Sequence, residues 1–252
     1  MSRPIRITIL IIAAVVFVYS GSQLIWNFYQ MSVGSSAYEE IREEVIIEIP
    51  EPEIPEEIEG PTLTFTVDFE ALQNINNEII AWIYIPDTPV SYPVLHGSDN
   101  QKYLNTTFDK RNNILGSIFI DFRNSGEFEN LNTIIYGHNT TNDSMFGSLK
   151  RFLEQSYADE RPEIIILREG EIRVYEIFSV FETPATSDAY TISFSSAESF
   201  EEYIQRMAAQ SVVQMGSPPL TEPIITLSTC TPNNRDMRLV IQAKLSGLFE
   251  SQ

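Results

Sequence analysis

After Arg3 and Arg6 the chain runs through residues 7–38, 32 positions, without a single charge. Its most apolar part, residues 7–18, is only 12 long. The polar Ser20, Gly21, Ser22 and Gln23 follow, and then Leu24, Ile25, Trp26, Phe28 and Tyr29. As a helix, Ile7 to Phe28 covers about 33 Å, enough for a hydrocarbon core. Trp26, Phe28 and Tyr29 would then form an aromatic belt at the far interface, and the two arginines would hold the N-terminus in the cytoplasm. The short apolar core and the small residues Ser35, Ser36 and Ala37 also fit a cleaved secretory signal. The uncleaved anchor is the favoured reading, and both readings export the rest of the chain. The expectation is a single-pass protein of the cell membrane, with residues 1–30 as cytoplasmic tip and anchor and an extracellular remainder.

Residues 38–60 carry ten Glu against one Arg, with Pro50, Pro52 and Pro55. Like charges extend such a segment and prolines stiffen it, so residues 31–61 are expected as a solvated acidic linker, with a short helix possible over 39–49. Its charge is nearly half of the formal net charge of −19, which also argues against nucleic acid as a partner.

From residue 62 to 252 the composition is that of a folded domain. Residues 67–78 read as a short helix with Asp68 as cap, and 144–154 and 197–207 as further helices. Apolar runs at 81–85, 90–95, 117–122, 133–136, 163–168, 171–181, 224–228 and 238–245 read as strands, with Glu169-Gly170 as a hairpin turn. About eight short strands that mostly do not alternate with helices favour a closed or nearly closed β-barrel with added helices over a doubly wound sheet.

The single cysteine, Cys230, excludes an intramolecular disulfide, and with only two histidines no zinc cage is expected. Free cysteine often lies in a core. Here, however, it ends the run Thr226-Leu227-Ser228-Thr229-Cys230 just before the loop-forming Thr231-Pro232-Asn233-Asn234, a strand-to-loop junction where reactive groups tend to sit. A thiol nucleophile needs a neighbour that favours thiolate and a donor for the developing oxyanion. His138 ends the apolar run before Asn139, after Gly137, a residue that permits an unusual backbone angle. His96 enters a polar loop and reads as a surface residue. Arg235 lies in the loop after Cys230, whereas Arg238 opens a strand and would be held more rigidly. No motif argues for a metal or other cofactor.

Taken together, Thr226–Cys230, Tyr136-Gly137-His138-Asn139 and Arg238-Leu239-Val240-Ile241 resemble the sortases, cysteine transpeptidases of Gram-positive cell surfaces. Several stretches resemble class B in particular. These are Ile75-Asn76 with Ala81-Trp82-Ile83, Tyr92-Pro93-Val94, Asp99-Asn100 with Tyr103-Leu104, residues 116–121, Leu131-Asn132-Thr133 and Met145-Phe146-Gly147. The resemblance spans residues 69–245. It implies a mainly β fold: an eight-stranded sortase-like barrel with N-terminal helices, a helix before a late strand and one transmembrane helix. It implies Cys230 as nucleophile, His138 as acid/base and Arg238 as the arginine, with substrate contacts at Asn100, Leu104, Thr186, Tyr190 and Ser228.

The activity so implied is cleavage of a C-terminal sorting signal of exported proteins, of the Asn-Pro-x-Thr type, after Thr. A Cys thioester forms, and the acyl group passes to a peptidoglycan cross-bridge amine. Rival readings are a pilus-assembling sortase that uses a pilin lysine and a cysteine peptidase that releases to water. An inactive, membrane-tethered binding module would lack one of Cys, His or Arg, and all three are present.

Overall fold

The structure, a computed structural model, describes residues 3–49, 63–218, 221–230 and 236–251, with Cys230 described by its backbone. Arg235 and the Pro-containing half of the expected linker lie outside the described residues.

One helix, α1 (Arg3–Val45), carries the apolar run, which has a mean hydropathy of 2.1 over its best 18 residues and none of that window buried. The helix does not end where the apolar run does. Tyr38, Ile41 and Val45 are spaced to share one face, and that face is buried against the folded domain while Glu39, Glu40, Glu43 and Glu44 lie away from it. Tyr38 Oη donates to the Gly116 carbonyl at 2.6 Å, and its ring meets Tyr92 edge-on and tilts against Phe108. Arg42 Nε donates to the Ser91 carbonyl at 3.3 Å. A two-stranded sheet follows, β1 (Ile46–Glu48) antiparallel to β2 (Phe65–Val67). Residues 34–49 are therefore packed helix and strand, not the solvated spacer expected for residues 31–61. The four glutamates of residues 39–44 sit on the exposed side of the helix and leave an apolar face free to dock.

The short helix α2 (Phe69–Ile75) is capped by Asp68, whose carboxylate accepts from the Ala71 amide at 2.9 Å. The chain then builds β3 (Ile79–Tyr84), β4 (Ser91–His96), β5 (Ile118–Ile120), β6 (Asn132–Tyr136), α3 (Gln155–Asp159), β7 (Glu163–Arg168), β8 (Glu171–Pro184), α4 (Ala197–Ala208), β9 (Ile224–Cys230) and β10 (Met237–Glu250). Residues Gly147–Leu153, expected as α-helix, form a 3₁₀ helix ahead of α3. Strands β3 to β10 close a barrel in the order β10-β8-β7-β3-β4-β5-β6-β9, as the eight-strand expectation requires. The pairs β4–β5 and β6–β9 are parallel and the others antiparallel. The turn between β7 and β8 uses Gly170 at φ +74, a conformation that disfavours any side chain.

The strand runs do not alternate in hydropathy because the sheet is covered on both sides. Ile225, Leu227, Leu239 and Ile241 join the main core. Ile224 and Val240 instead pack with Phe200, Tyr203, Ile204 and Met207 of α4. Those four recur at helical spacing, and Ser196 with Ser199 forms the capping box that starts the helix.

Candidate active site

Three neighbouring strands bring the chemically expected residues together. Strands β6 and β9 pair in parallel with Tyr136 opposite Ser228, and the Gly137 amide continues the ladder by donating to the Ser228 carbonyl at 3.2 Å. Strands β9 and β10 pair with Cys230 directly opposite Arg238. Arg238 is in turn paired with Thr183 of β8. Two residues beyond Tyr136 and Ser228 stand His138 and Cys230, so the register sets the Cys230 position between the strand ends that carry His138 and Arg238.

His138 is half-buried. Its Nε2 lies 2.5 Å from the Leu104 carbonyl, which can only accept, so Nε2 carries the proton of that bond. Arg238 is half-buried and its guanidinium donates to the Met237 carbonyl at 3.0 Å. Gly137 is needed for space and not for an unusual angle, since it has no positive φ. A Cβ there would lie 2.5 Å from Ile118 Cδ1 and 2.6 Å from Phe146 Cδ2. His96 ends β4 opposite Ile120 of β5 and does not line the cleft described next.

A cleft of about 350 Å³ opens over these strand ends. His138, Arg238, Asn100, Leu104, Tyr190 and Ser228 all line it. Thr186 does not. It lines an adjoining depression of about 510 Å³ that shares Arg123, Ala185 and Tyr190 with the cleft. Tyr190 Oη and Ser228 Oγ are hydrogen-bonded at 2.9 Å, and the Tyr190 ring stacks on Tyr136.

The cleft floor also holds a charged network that charge patterning alone did not reveal. The Asp121 carboxylate is fully buried. It accepts from Arg123 Nε and Nη2 at 2.8 and 2.9 Å, from Asn100 Nδ2 at 3.0 Å and from Tyr136 Oη at 2.9 Å. Burial alone would raise its pKa, but these donors more than offset it and hold the carboxyl down at about 2. Burial and the adjacent carboxylate push the Tyr136 phenol up. Asn100 has its other amide atom engaged as well, since Oδ1 accepts from the Phe122 amide at 3.0 Å. Asn132 was also outside the expected site. Its buried amide donates to the Thr191 carbonyl at 2.9 Å and accepts from Thr226 Oγ1 at 2.7 Å, so it pins the segment that carries Tyr190 to β6 and β9. Both Asp121 and Asn132 fall within the stretches whose wording resembled class B sortases.

Known proteins resemble this chain in sequence and in fold. The family model of the sortase domain matches residues 83–246. Sortase B of Listeria monocytogenes is 39% identical over 184 residues, covering 69% of this chain and 72% of the relative. Among solved structures, the Staphylococcus aureus sortase B–substrate complex superposes with a TM-score of 0.67 at 30% identity, covering 73% of this chain and 85% of that one. Sortase B from B. anthracis gives 0.73 at 29% identity, covering 86% and 98%.

Proposed function

The chain belongs to the sortase family, in its class B, and from that premise we propose that it is a membrane-anchored transpeptidase in which Cys230, His138 and Arg238 do the chemistry. The substrate is an exported protein with a C-terminal sorting signal of the Asn-Pro-x-Thr type, and the acceptor is a cell-wall peptidoglycan amine. The observation that carries this reading is the register across β6, β9 and β10, with Cys230 paired to Arg238 and His138 at the same end of the barrel.

The Cys230 thiolate adds to the carbonyl carbon of the signal's Thr. Arg238 donates hydrogen bonds to the oxyanion or to neighbouring substrate carbonyls. His138, as imidazolium, gives its proton to the departing amine nitrogen as the C–N bond breaks, leaving a thioester on Cys230. The acceptor amine then attacks the thioester, His138 takes its proton, and the thiolate leaves. Because the thioester retains acyl-transfer energy, no nucleotide is consumed. Asn100, Leu104, Tyr190 and Ser228 line the path of the signal, and Thr186 borders its extension into the adjoining depression. The apolar part of α1 is the anchor, with the N-terminus cytoplasmic and the barrel outside, residues 62–252 forming the main catalytic body.

The test is to mix the full chain in detergent with a panel of fluorogenic signal peptides, with and without glycine-type amines, and to follow intact mass. The proposal requires an acyl adduct that Cys230→Ala abolishes and a ligated product that depends on the amine. Release to water under every amine would favour a peptidase. No adduct on any peptide would overturn the assignment of Cys230.

A further inference from the structure

Helix α1 is one unbroken element from the apolar run to the barrel, and the barrel meets it very early. Residues 7–29 form a helix about 34 Å long, slightly more than a hydrocarbon core. Gln30 is the next residue. Asn113 Nδ2 donates to the Gln30 carbonyl at 2.8 Å and lies 3.2 Å from its Oε1. One turn further, Gly34 is buried against Leu115 and Asn113. A Cβ there would lie 2.7 Å from Leu115 Cδ1 and 2.8 Å from Asn113 Oδ1. Asn142 Nδ2 approaches Ser35 Oγ at 3.5 Å.

We infer that the barrel is seated directly on the membrane that α1 crosses, with residues 113–115 at the level of the phospholipid headgroups and the 142–144 loop just above them. This rests on the reading of α1 as the anchor. The headgroup layer is about 5–7 Å deep on each side of the hydrocarbon core, or about four helical residues. Any atom bonded to Gln30 stands within that layer, and Ser35, about 9 Å beyond Tyr29, stands just above it. Asn113 and Leu115 turn toward the helix and are buried, whereas Ile114 between them is 39% exposed. It is the apolar side chain left to meet lipid. No hinge separates anchor and barrel, because Gly34, Tyr38, Ile41 and Val45 are all packed against the domain.

The seating also sets the position of the cleft. Tyr38, two turns beyond Gln30, bonds the Gly116 carbonyl. Gly116, at φ +56, is pressed against Leu104, where a Cβ would lie 2.6 Å from the Leu104 carbonyl oxygen. The same carbonyl holds His138. Helix and imidazole are thus two residues apart, and the cleft faces a fixed height, on the order of 10–20 Å above the lipid, along one side of the helix.

The experiment uses the full chain with Cys230→Ser, so that Ile114→Cys or Leu248→Cys provides the only thiol for an environment-sensitive fluorophore. Leu248 is 57% exposed and lies on β10 about 36 Å along the strand from Met237, at the barrel end away from the cleft. The protein is placed in vesicles of phosphatidylcholine and phosphatidylglycerol that contain a headgroup nitroxide lipid. A label at position 114 should be quenched severalfold more than one at 248. Seven alanines inserted between Tyr29 and Gln30 preserve helical phase and every barrel contact while lifting the barrel by about 10 Å, and should bring quenching at 114 down to the level at 248. Gly34→Leu should do the same by prising the helix from Leu115. Equal quenching at the two positions, or quenching at 114 that the insertion leaves unchanged, overturns the seating while the anchor stands. Failure of the chain to float with vesicles overturns the anchor, and the seating with it.

Discussion

Replacing Tyr38 by Phe isolates the docking of α1 from everything else the helix does. The ring and its contacts with Tyr92 and Phe108 stay, and only the hydroxyl that donates to the Gly116 carbonyl at 2.6 Å and touches Ser117 Oγ at 3.3 Å is lost. A buried neutral hydrogen bond contributes about 1 kcal/mol net. Leaving its buried acceptor unpaired brings the cost to about 1–2 kcal/mol. For a domain of this size that is a fall of about 3–6 °C in Tm. The assay is denaturant unfolding of the full chain in detergent, followed through Trp82, which is fully buried with its indole N–H on Ser91 Oγ, next to the carbonyl that Arg42 holds. Tyr29→Phe serves as control, because Tyr29 is 58% exposed on the apolar run. Tyr38→Ala would cost about 3–5 kcal/mol as a core truncation. It cannot cost more than the whole docking of the segment, because an undocked helix has nothing further to lose. A change below about 0.3 kcal/mol for Tyr38→Phe, no larger than that of Tyr29→Phe, would refute the packing of α1 on the barrel.

Three other outcomes follow from the site. Arg238→Ala should lower turnover by roughly a hundredfold or more, and Arg238→Lys should not restore it fully, because the planar fork is lost; steady-state kinetics with the cleaved peptide read both. Gly137→Ala forces a methyl into Ile118 and Phe146 and should cost about 1–3 kcal/mol, with a fall in kcat/KM as His138 shifts with the strand end. Asp121 has its carboxyl held down at about 2 in the fold, so its contribution is complete above the ordinary carboxyl value near 4 and disappears as pH falls through about 2. That contribution is about 1–2 kcal/mol, reduced from the full conversion because Arg123 is half exposed to water. Unfolding free energy measured against pH should therefore lose this step in Asp121→Asn.

The barrel was legible in the sequence because its strands are short apolar runs separated by Gly, Pro and polar loops. The late helix was legible because Phe200, Tyr203, Ile204 and Met207 keep helical spacing. Cys230, His138 and Arg238, the residues proposed for the chemistry, stand out by type and position, and the barrel register brings their strand ends together. The docked half of α1 was missed for a physical reason. Ten glutamates over 38–60 dominate any count of charge, yet Tyr38, Ile41 and Val45 share a helical face that the glutamates of 39–44 do not occupy. Gly137 illustrates the same limit, since a glycine required by a crowded neighbour looks, in sequence, like one required by its torsion angles. Asp121 and Asn132 act through partners brought together by the β5–β6 and β6–β9 pairings, and Thr186 was displaced to the next depression by the path of the loop after β8. None of these depends on local pattern.

The parallel pairing of β6 with β9 joins Tyr136 to Ser228 across more than ninety residues of chain. Loop closure over such a distance is entropically late, and barrels dominated by such contacts fold slowly. The backbone of Cys230 comes beside the strand ends that carry His138 and Arg238 only when that seam closes and β10 has paired with both β8 and β9. A half-folded copy thus holds Cys230 apart from the two residues that the proposed chemistry requires beside it. The candidate site is therefore among the last parts of the barrel to assemble.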